Sequence, residues 1–331
     1  MNPSSRVRVI CGMVAMLAGA AAPAAEPLAC QALTWTTLGT AGGPIPTADR
    51  SEPANLLNAG GRLVLVDTGD GTVNQLARLG HMIGAVRDVF ISHHHLDHTG
   101  GLAAVIGLRW MNQFPGLITI HGPPGTREMV DGIVASMQPQ ARVGFGLGAA
   151  DRPPADSVRV VELRGGDSVT VGDIQVTAAA NSHFDHDGPQ PVSPPQSLSF
   201  RFDFGGRSIT YTGDTGPSDE VAKLARRTDL LVSEVMDLDR LYAELQQRRR
   251  DASPETLRDL RRHLATHHLT GDDVGRLAAK AGAGRVLLTH FAIPSGPLAE
   301  SAAALSKGVA GHFGGPVALA RDLSVHEVPC R

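Results

Sequence analysis

Six consecutive positions hold four histidines and one aspartate: His93-His94-His95-Leu96-Asp97-His98, followed by Thr99-Gly100-Gly101. The run follows Val86–Ser92 (VRDVFIS), a β-branched and aromatic stretch that reads as a strand. Imidazole nitrogen and carboxylate oxygen are the usual ligands of zinc and similar ions. On a loop just past a strand, His93 and His95 point one way, His94 points the other, and Asp97 and His98 turn toward a neighbouring point. That geometry suits two cations sharing one ligand set. It requires a fold in which a strand end opens onto a site.

A metal pair needs more donors, including one that bridges. Three further stretches supply them at apparent strand ends: Asn181-Ser182-His183, Thr212-Gly213-Asp214 and Leu288-Thr289-His290. The two oxygens of Asp214 suit it to bridging. Around these, strand-like runs alternate with helical ones. Strands are expected at Arg62–Asp67, Val86–Ser92, Leu117–His121, Val158–Glu162, Ser168–Val171, Ile174–Ala178, Leu198–Phe204, Arg207–Thr212, Leu230–Val235 and Arg285–Thr289. Gly205-Gly206 marks a tight hairpin. Helices are expected at Val73–Leu79, Gly101–Met111, Asp219–Ala225, Asp272–Ala281 and Leu298–Ala310. The class is therefore α+β or α/β, with sheets faced by helices. Pro123–Pro154 reads as a helix plus a long loop. The charged stretch 236–263, with Arg248-Arg249-Arg250, reads as a helical, lid-like insertion. The triple arginine is a solvated helix face or, on a sharper reading, an anion-steering lid.

The 331-residue chain is 42% hydrophobic and 19% charged, with a formal net charge of -3. That balance disfavours a protein built to grip nucleic acid, which carries a basic excess. The N-terminus differs from the rest. Arg6 and Arg8 precede the apolar run Val9–Ala22, and Ala22-Pro23-Ala24 offers small residues for cleavage. This is the layout of a Sec-type signal peptide over residues 1–24, too short for a membrane span. The expected mature domain is 25–331, periplasmic or secreted. Its two cysteines, Cys30 and Cys330, suggest a disulfide in an oxidising compartment.

The ligand set resembles the metallo-β-lactamase superfamily. Asp67-Thr68-Gly69-Asp70-Gly71-Thr72 looks like its first motif and His93/His95/Asp97/His98 its second. His183, Asp214 and His290 look like its third, fourth and fifth. The resemblance implies an αββα sandwich with the metals at one edge of two face-packed mixed sheets. It implies two zinc ions per subunit, with manganese or iron as alternatives. His93, His95 and His183 go to one metal, Asp97, His98 and His290 to the other, and Asp214 bridges. Asp67 orients a ligand histidine. His268-Leu269-Thr270 resembles the His-x-Thr motif of the tRNase Z group, and Glu234 matches the acid that partners that histidine. Secreted arylsulfatases of the superfamily share these features, and Gly42-Gly43-Pro44 and Ser92–His95 look closer to them. Classical zinc β-lactamases place a cysteine where Asp214 stands, so the chain departs from them. It also lacks a clear counterpart, between His121 and His183, of the long arm with which tRNase Z grips tRNA.

The resulting expectation is an exported dinuclear zinc hydrolase, arylsulfatase-like, that cleaves sulfate or phosphate (di)esters. Two cations share a water and lower its pKa toward neutrality. Asp97, His268 and Glu234 are the catalytic candidates, Asp97 as a base on the water and His268 as assistant to the leaving group. The alternatives are a lactone or carboxylic ester hydrolase, a tRNase Z-like endoribonuclease or phosphodiesterase, and a zinc carrier without catalysis. The implied partner is a small-molecule ester. Nucleic acid is disfavoured, no stable membrane association follows leader removal, and a homodimer is allowed. His94 is expected to be a bystander; His186, three residues after His183, takes the same bland reading, with pocket lining as the sharper alternative. His267 is the neighbour that could exchange roles with His268. His81, His121, His263, His312 and His326 are expected at the surface or in packing.

Overall fold

Among the described residues fourteen strands divide equally between two sheets, and each sheet changes from antiparallel to parallel pairing part of the way across. The computed structural model describes residues 30–43, 45–143, 152–185 and 194–330. The leader expected over 1–24, Pro44 and His186 lie outside the described residues. Gln31–Arg331 forms one compact unit.

The chain builds the first sheet almost entirely from its N-terminal half. In order come β1 (Leu33–Gly39), β2 (Ala54–Ala59), β3 (Arg62–Thr68), α1 (Thr72–Arg78), β4 (Asp88–Phe90), α2 (Leu96–Thr99), α3 (Leu102–Met111), β5 (Ile118–Gly122), α4 (Thr126–Ser136), α5 (Gln138–Ala141) and β6 (Val158–Glu162). The second sheet follows with β7 (Ser168–Val171), β8 (Ile174–Ala180), β9 (Leu198–Phe204), β10 (Arg207–Tyr211), α6 (Asp219–Leu224), β11 (Leu230–Met236), α7 (Leu238–Arg248), α8 (Pro254–His267), α9 (Gly271–Ala281), β12 (Val286–Ala292), α10 (Ala299–Ala310) and β13 (Val317–Leu319). The last strand, β14 (Ser324–Glu327), returns to the edge of the first sheet beside β1. The orders are β14-β1-β2-β3-β4-β5-β6 and β13-β12-β11-β10-β9-β8-β7.

Local chemistry explains the punctuation. Gly205 and Gly206 both take positive φ, as the tight β9–β10 turn requires. Thr270 and Asp273 form a reciprocal capping box at the start of α9, and Gly282 closes that helix in the left-handed region. Ser253 caps α8 ahead of Pro254 in its first turn.

Three apolar layers follow from the pleat. Trp35, Phe90, Phe200, Phe202, Ile209 and Tyr211 fill the space between the sheets, each at most 1% exposed. A second cluster joins the outer face of the first sheet to α1, α3 and α4, and a third joins the second sheet to α6, α9 and α10. This is the αββα sandwich expected. β1, β2, β13 and β14 were not anticipated, and 236–263 proves to be two helices, α7 and α8, the second running on to His267. Neither helix buries a residue. Cys30 and Cys330 are both disulfide-bonded.

Phe202 touches the rings of Trp35, Phe90 and Phe200. Phe202→Ala should therefore cost about 3–5 kcal/mol of unfolding free energy in a denaturant titration at fixed zinc. A loss indistinguishable from zero would mean that the inter-sheet layer is not the core.

Candidate metal centre

The strands that lead into the histidine cluster end at one edge of each sheet. β3 and β4 run parallel in the first sheet. β10, β11 and β12 run parallel in the second, and β8 shares their direction because two antiparallel pairings separate it from β10. His93, His183 and Asp214 follow the ends of β4, β8 and β10. Two residues reach the site differently. Asp67 is skipped by the β2–β3 register and His290 by the β11–β12 register, so each is the extra residue of a β-bulge. Both have positive φ, 58° and 44°. A bulge re-aims a side chain that the pleat would otherwise send elsewhere. The left-handed conformation costs about 1–3 kcal/mol at a non-glycine residue. For this reason β12 does not stop at Thr289, as its sequence suggested, but continues through the bulge to Ala292.

The donors separate into two sets around Asp214. His93 Nε2 and His183 Nε2 lie 3.1 and 3.2 Å from His95 Nδ1. Asp214 Oδ2 faces this set, 4.0 Å from His93 Nε2 and 3.9 Å from His183 Nε2. In the second set His98 Nε2 and His290 Nε2 are 3.2 Å apart, with Asp97 Oδ2 at 3.5 and 3.7 Å from them. Asp214 Oδ1 faces that set at 3.3 and 3.1 Å. Each carboxylate oxygen of Asp214 thus faces one triad. His95 contributes Nδ1, a detail that spacing does not reveal.

Surrounding groups hold the rings. Asp67 Oδ2 accepts from His98 Nδ1, Ser92 Oγ and the Tyr211 hydroxyl, each at 2.8 Å, and Oδ1 accepts from Ser92 N at 2.7 Å. His98 Nδ1 carries the proton and leaves Nε2 free for a cation. His183 Nδ1 donates to the His267 carbonyl at 3.0 Å with the same result for its Nε2. Tyr211 was missed because its alternation reads only as core. Glu234 Oε2 holds His268 Nδ1 at 2.8 Å, and Glu234 Oε1 accepts from Thr215 N. The ligand atom of His268 lies within 4.8 Å of those of His183 and Asp214.

His94 turns away to bond Thr126 at 2.9 Å, and His267 pairs with His263 at 2.7 Å instead of Glu234. His121, stacked on Phe90, and His312 and His326, bonded to Asp272 and Ser324, are packing or surface residues. His263 is exposed, as expected, and also lines the cleft. Its position one turn from His267 on the amphipathic α8 was the available signal.

The donor set fits divalent cations. Asp214 Oδ1 is buried without a hydrogen-bond partner although two imidazole nitrogens lie within 3.3 Å. Imidazole nitrogens and carboxylate oxygens converging at this density are the donor types that zinc and similar cations take. The ionisation preferences agree. Burial pushes His93 well below its usual value and His183 down to about 3, so both are neutral, ligand-ready imidazoles. Burial opposes charge on His98 and His290 as well, but the facing carboxylates together outweigh it and raise both, Asp214 with Asp67 for His98 and Asp214 with Asp97 for His290. Those two rings take protons where the carboxylates call for a cation. Burial would also lower His268, yet Glu234 holds it at about 9, an imidazolium at neutral pH.

A cleft of about 780 Å³ opens over the cluster, lined by the loop 42–50, the loop after β12, α7 and α8. Gly43 seats that first loop against Asp97: a Cβ there would lie 2.3 Å from Asp97 Oδ2. Asp67→Asn should lower zinc affinity about 10–100-fold in a chelator competition. Unchanged affinity would remove Asp67 from the support of the site.

Comparison with known proteins agrees with this geometry. The Beta-lactamase superfamily domain family matches residues 62–291. Ribonuclease Z of Mycobacterium marinum is 32% identical over 302 residues, covering 89% of this chain and 99% of that protein. Among solved structures, the short form of human tRNase Z superposes with a TM-score of 0.61 at 24% identity, over 90% of this chain and all of that one. The metallo-beta-lactamase fold protein YhfI from Bacillus subtilis superposes with a TM-score of 0.62 at 21% identity, over the same shares. The chain is a metal-dependent hydrolase that belongs to the metallo-β-lactamase superfamily, on the branch whose curated relatives carry the name ribonuclease Z.

Proposed function

We propose that the chain hydrolyses phosphodiesters at the Asp214-centred cluster. The observation that carries this reading is the His268–Glu234 pair, a proton donor held at the open side of a two-cation donor set. The curated relatives named ribonuclease Z support a phosphodiester as the scissile group. When bound, two divalent cations activate water and neutralise the oxygens that gain charge.

The chain's own residues do the rest. Water adds to phosphorus, the bond to the leaving oxygen breaks, and that oxygen takes a proton from His268. Glu234 retains the resulting neutral imidazole by accepting from Nδ1. Asp97, half-buried at the cleft floor, accepts the proton that the attacking water loses. Its carboxyl lies below the usual range: burial opposes this, but His290 and His98 outweigh it.

A sulfate ester hydrolase of the arylsulfatase type is the second reading, favoured by the apolar walls of the cleft. An exported setting is part of the proposal. The leader-like residues 1–24 and the disulfide-bonded Cys30 and Cys330 support it.

Zinc-loaded protein should turn over aryl phosphodiesters, and a parallel series of aryl sulfates distinguishes phosphorus from sulfur. His268→Ala should lower kcat about 100-fold or more for weakly acidic phenol leaving groups, and progressively less as the phenol becomes more acidic. An equal loss across the series would remove His268 as the proton donor. Failure to cleave any phosphodiester would remove the substrate class.

A further inference from the structure

The walls of the cleft differ in character from its floor. Ile45 and Leu96 stand at its rim, 58% and 77% exposed, and Leu241, Leu245, Leu264 and Ile293 line it further in. Leu241 and Leu245 lie one turn apart on one face of α7. That face meets no core, since α7 and α8 bury no residue. Exposed apolar side chains gathered around a catalytic floor mark a ligand surface.

The cleft's arginines are already neutralised. Arg50, with its side chain 6% exposed, pairs with Asp49 at 3.1 Å. Arg248 pairs with Glu244 at 2.6 Å and donates to Ser295 at 2.8 Å, and Ser295 N and Oγ in turn donate to Glu244. This network ties α7 to the loop after β12. It also takes Arg248 out of the anion-steering role, while Arg249 and Arg250 do not line the cleft. No lysine lines it among the described residues. A polynucleotide gains its affinity from unpaired Lys and Arg along its backbone, and this rim offers none. The volume, about 780 Å³, falls within the range that encloses a drug-sized molecule.

We infer that this site, on the phosphodiester reading above, selects small esters whose leaving group is apolar. That group lies against Leu241, Leu245 and Leu264, and polynucleotides are excluded. The scissile bond then sits over Asp214 and His268, and the departing phenol-like group is the part held by the α7–α8 pair.

Binding tests this apart from turnover. A series of (4-alkylbenzyl)phosphonates, in which a methylene replaces the bridging aryl oxygen so that no scissile P–O ester bond is present, is titrated calorimetrically into zinc-loaded full-length protein. Affinity should rise with alkyl length, approaching about fourfold per methylene buried. Leu241→Asn and Leu264→Asn should flatten that slope while near-ultraviolet circular dichroism and zinc content stay as in the parent. A single-stranded oligoribonucleotide should not displace the bound phosphonate. A flat slope in the parent protein would overturn the inference, as would displacement by the oligoribonucleotide at lower concentration than the phosphonate itself. A steep slope without turnover of any ester would leave the apolar selection standing and remove the phosphodiester reading instead.

Discussion

Everything at the functional edge depends on one carboxylate, Asp214, divided between two sets of three donors. Each of its oxygens faces a separate triad, and Oδ1 finds no hydrogen-bond partner there. Buried carboxylates and imidazoles at this density are unfavourable unless positive charge is supplied. Divalent cations held by these donors would supply it, and folding and metal binding would then be coupled. The rest of the architecture brings the six other donors to within reach of that residue. The first sheet delivers His93, His95, Asp97 and His98, and the second delivers His183 and His290.

The bulges show what that delivery costs. Asp67 and His290 reach the site by the same device in opposite sheets: each is an unpaired extra residue with a left-handed backbone, Asp67 in the antiparallel β2–β3 pair and His290 in the parallel β11–β12 pair. A regular strand would alternate them on the pleat. Local strain is accepted because the site is over-determined around it, by four hydrogen bonds to Asp67 and by the cation-directed set around His290.

Much of this was legible in the residues. The strand runs and the Gly205-Gly206 hairpin read directly from alternation and turn chemistry. The candidate donors that the fold gathers around Asp214 were picked out from histidine and aspartate placed at apparent strand ends. The bulges were not legible, because a period-two pattern has no mark for one inserted residue; hence the early end expected for β12. β1 and β2 escaped notice because Thr36, Thr37 and Asn55 interrupt their apolar pattern. Those polar side chains are buried, and the structure bonds Thr37 and Asn55 to distant partners. β13 and β14 are three- and four-residue edge strands, below the length at which periodicity speaks. The cleft walls depend on how α7 and α8 fold over the edge, a tertiary fact.

The central claim is that Asp214 joins two cations. X-ray absorption on zinc-loaded protein, alongside metal analysis, tests it most directly. The account predicts two zinc ions per chain and a zinc–zinc scattering path near 3.5–4 Å, with that path lost in Asp214→Ala. A single zinc per chain, or the same zinc–zinc path surviving in Asp214→Ala, would contradict it.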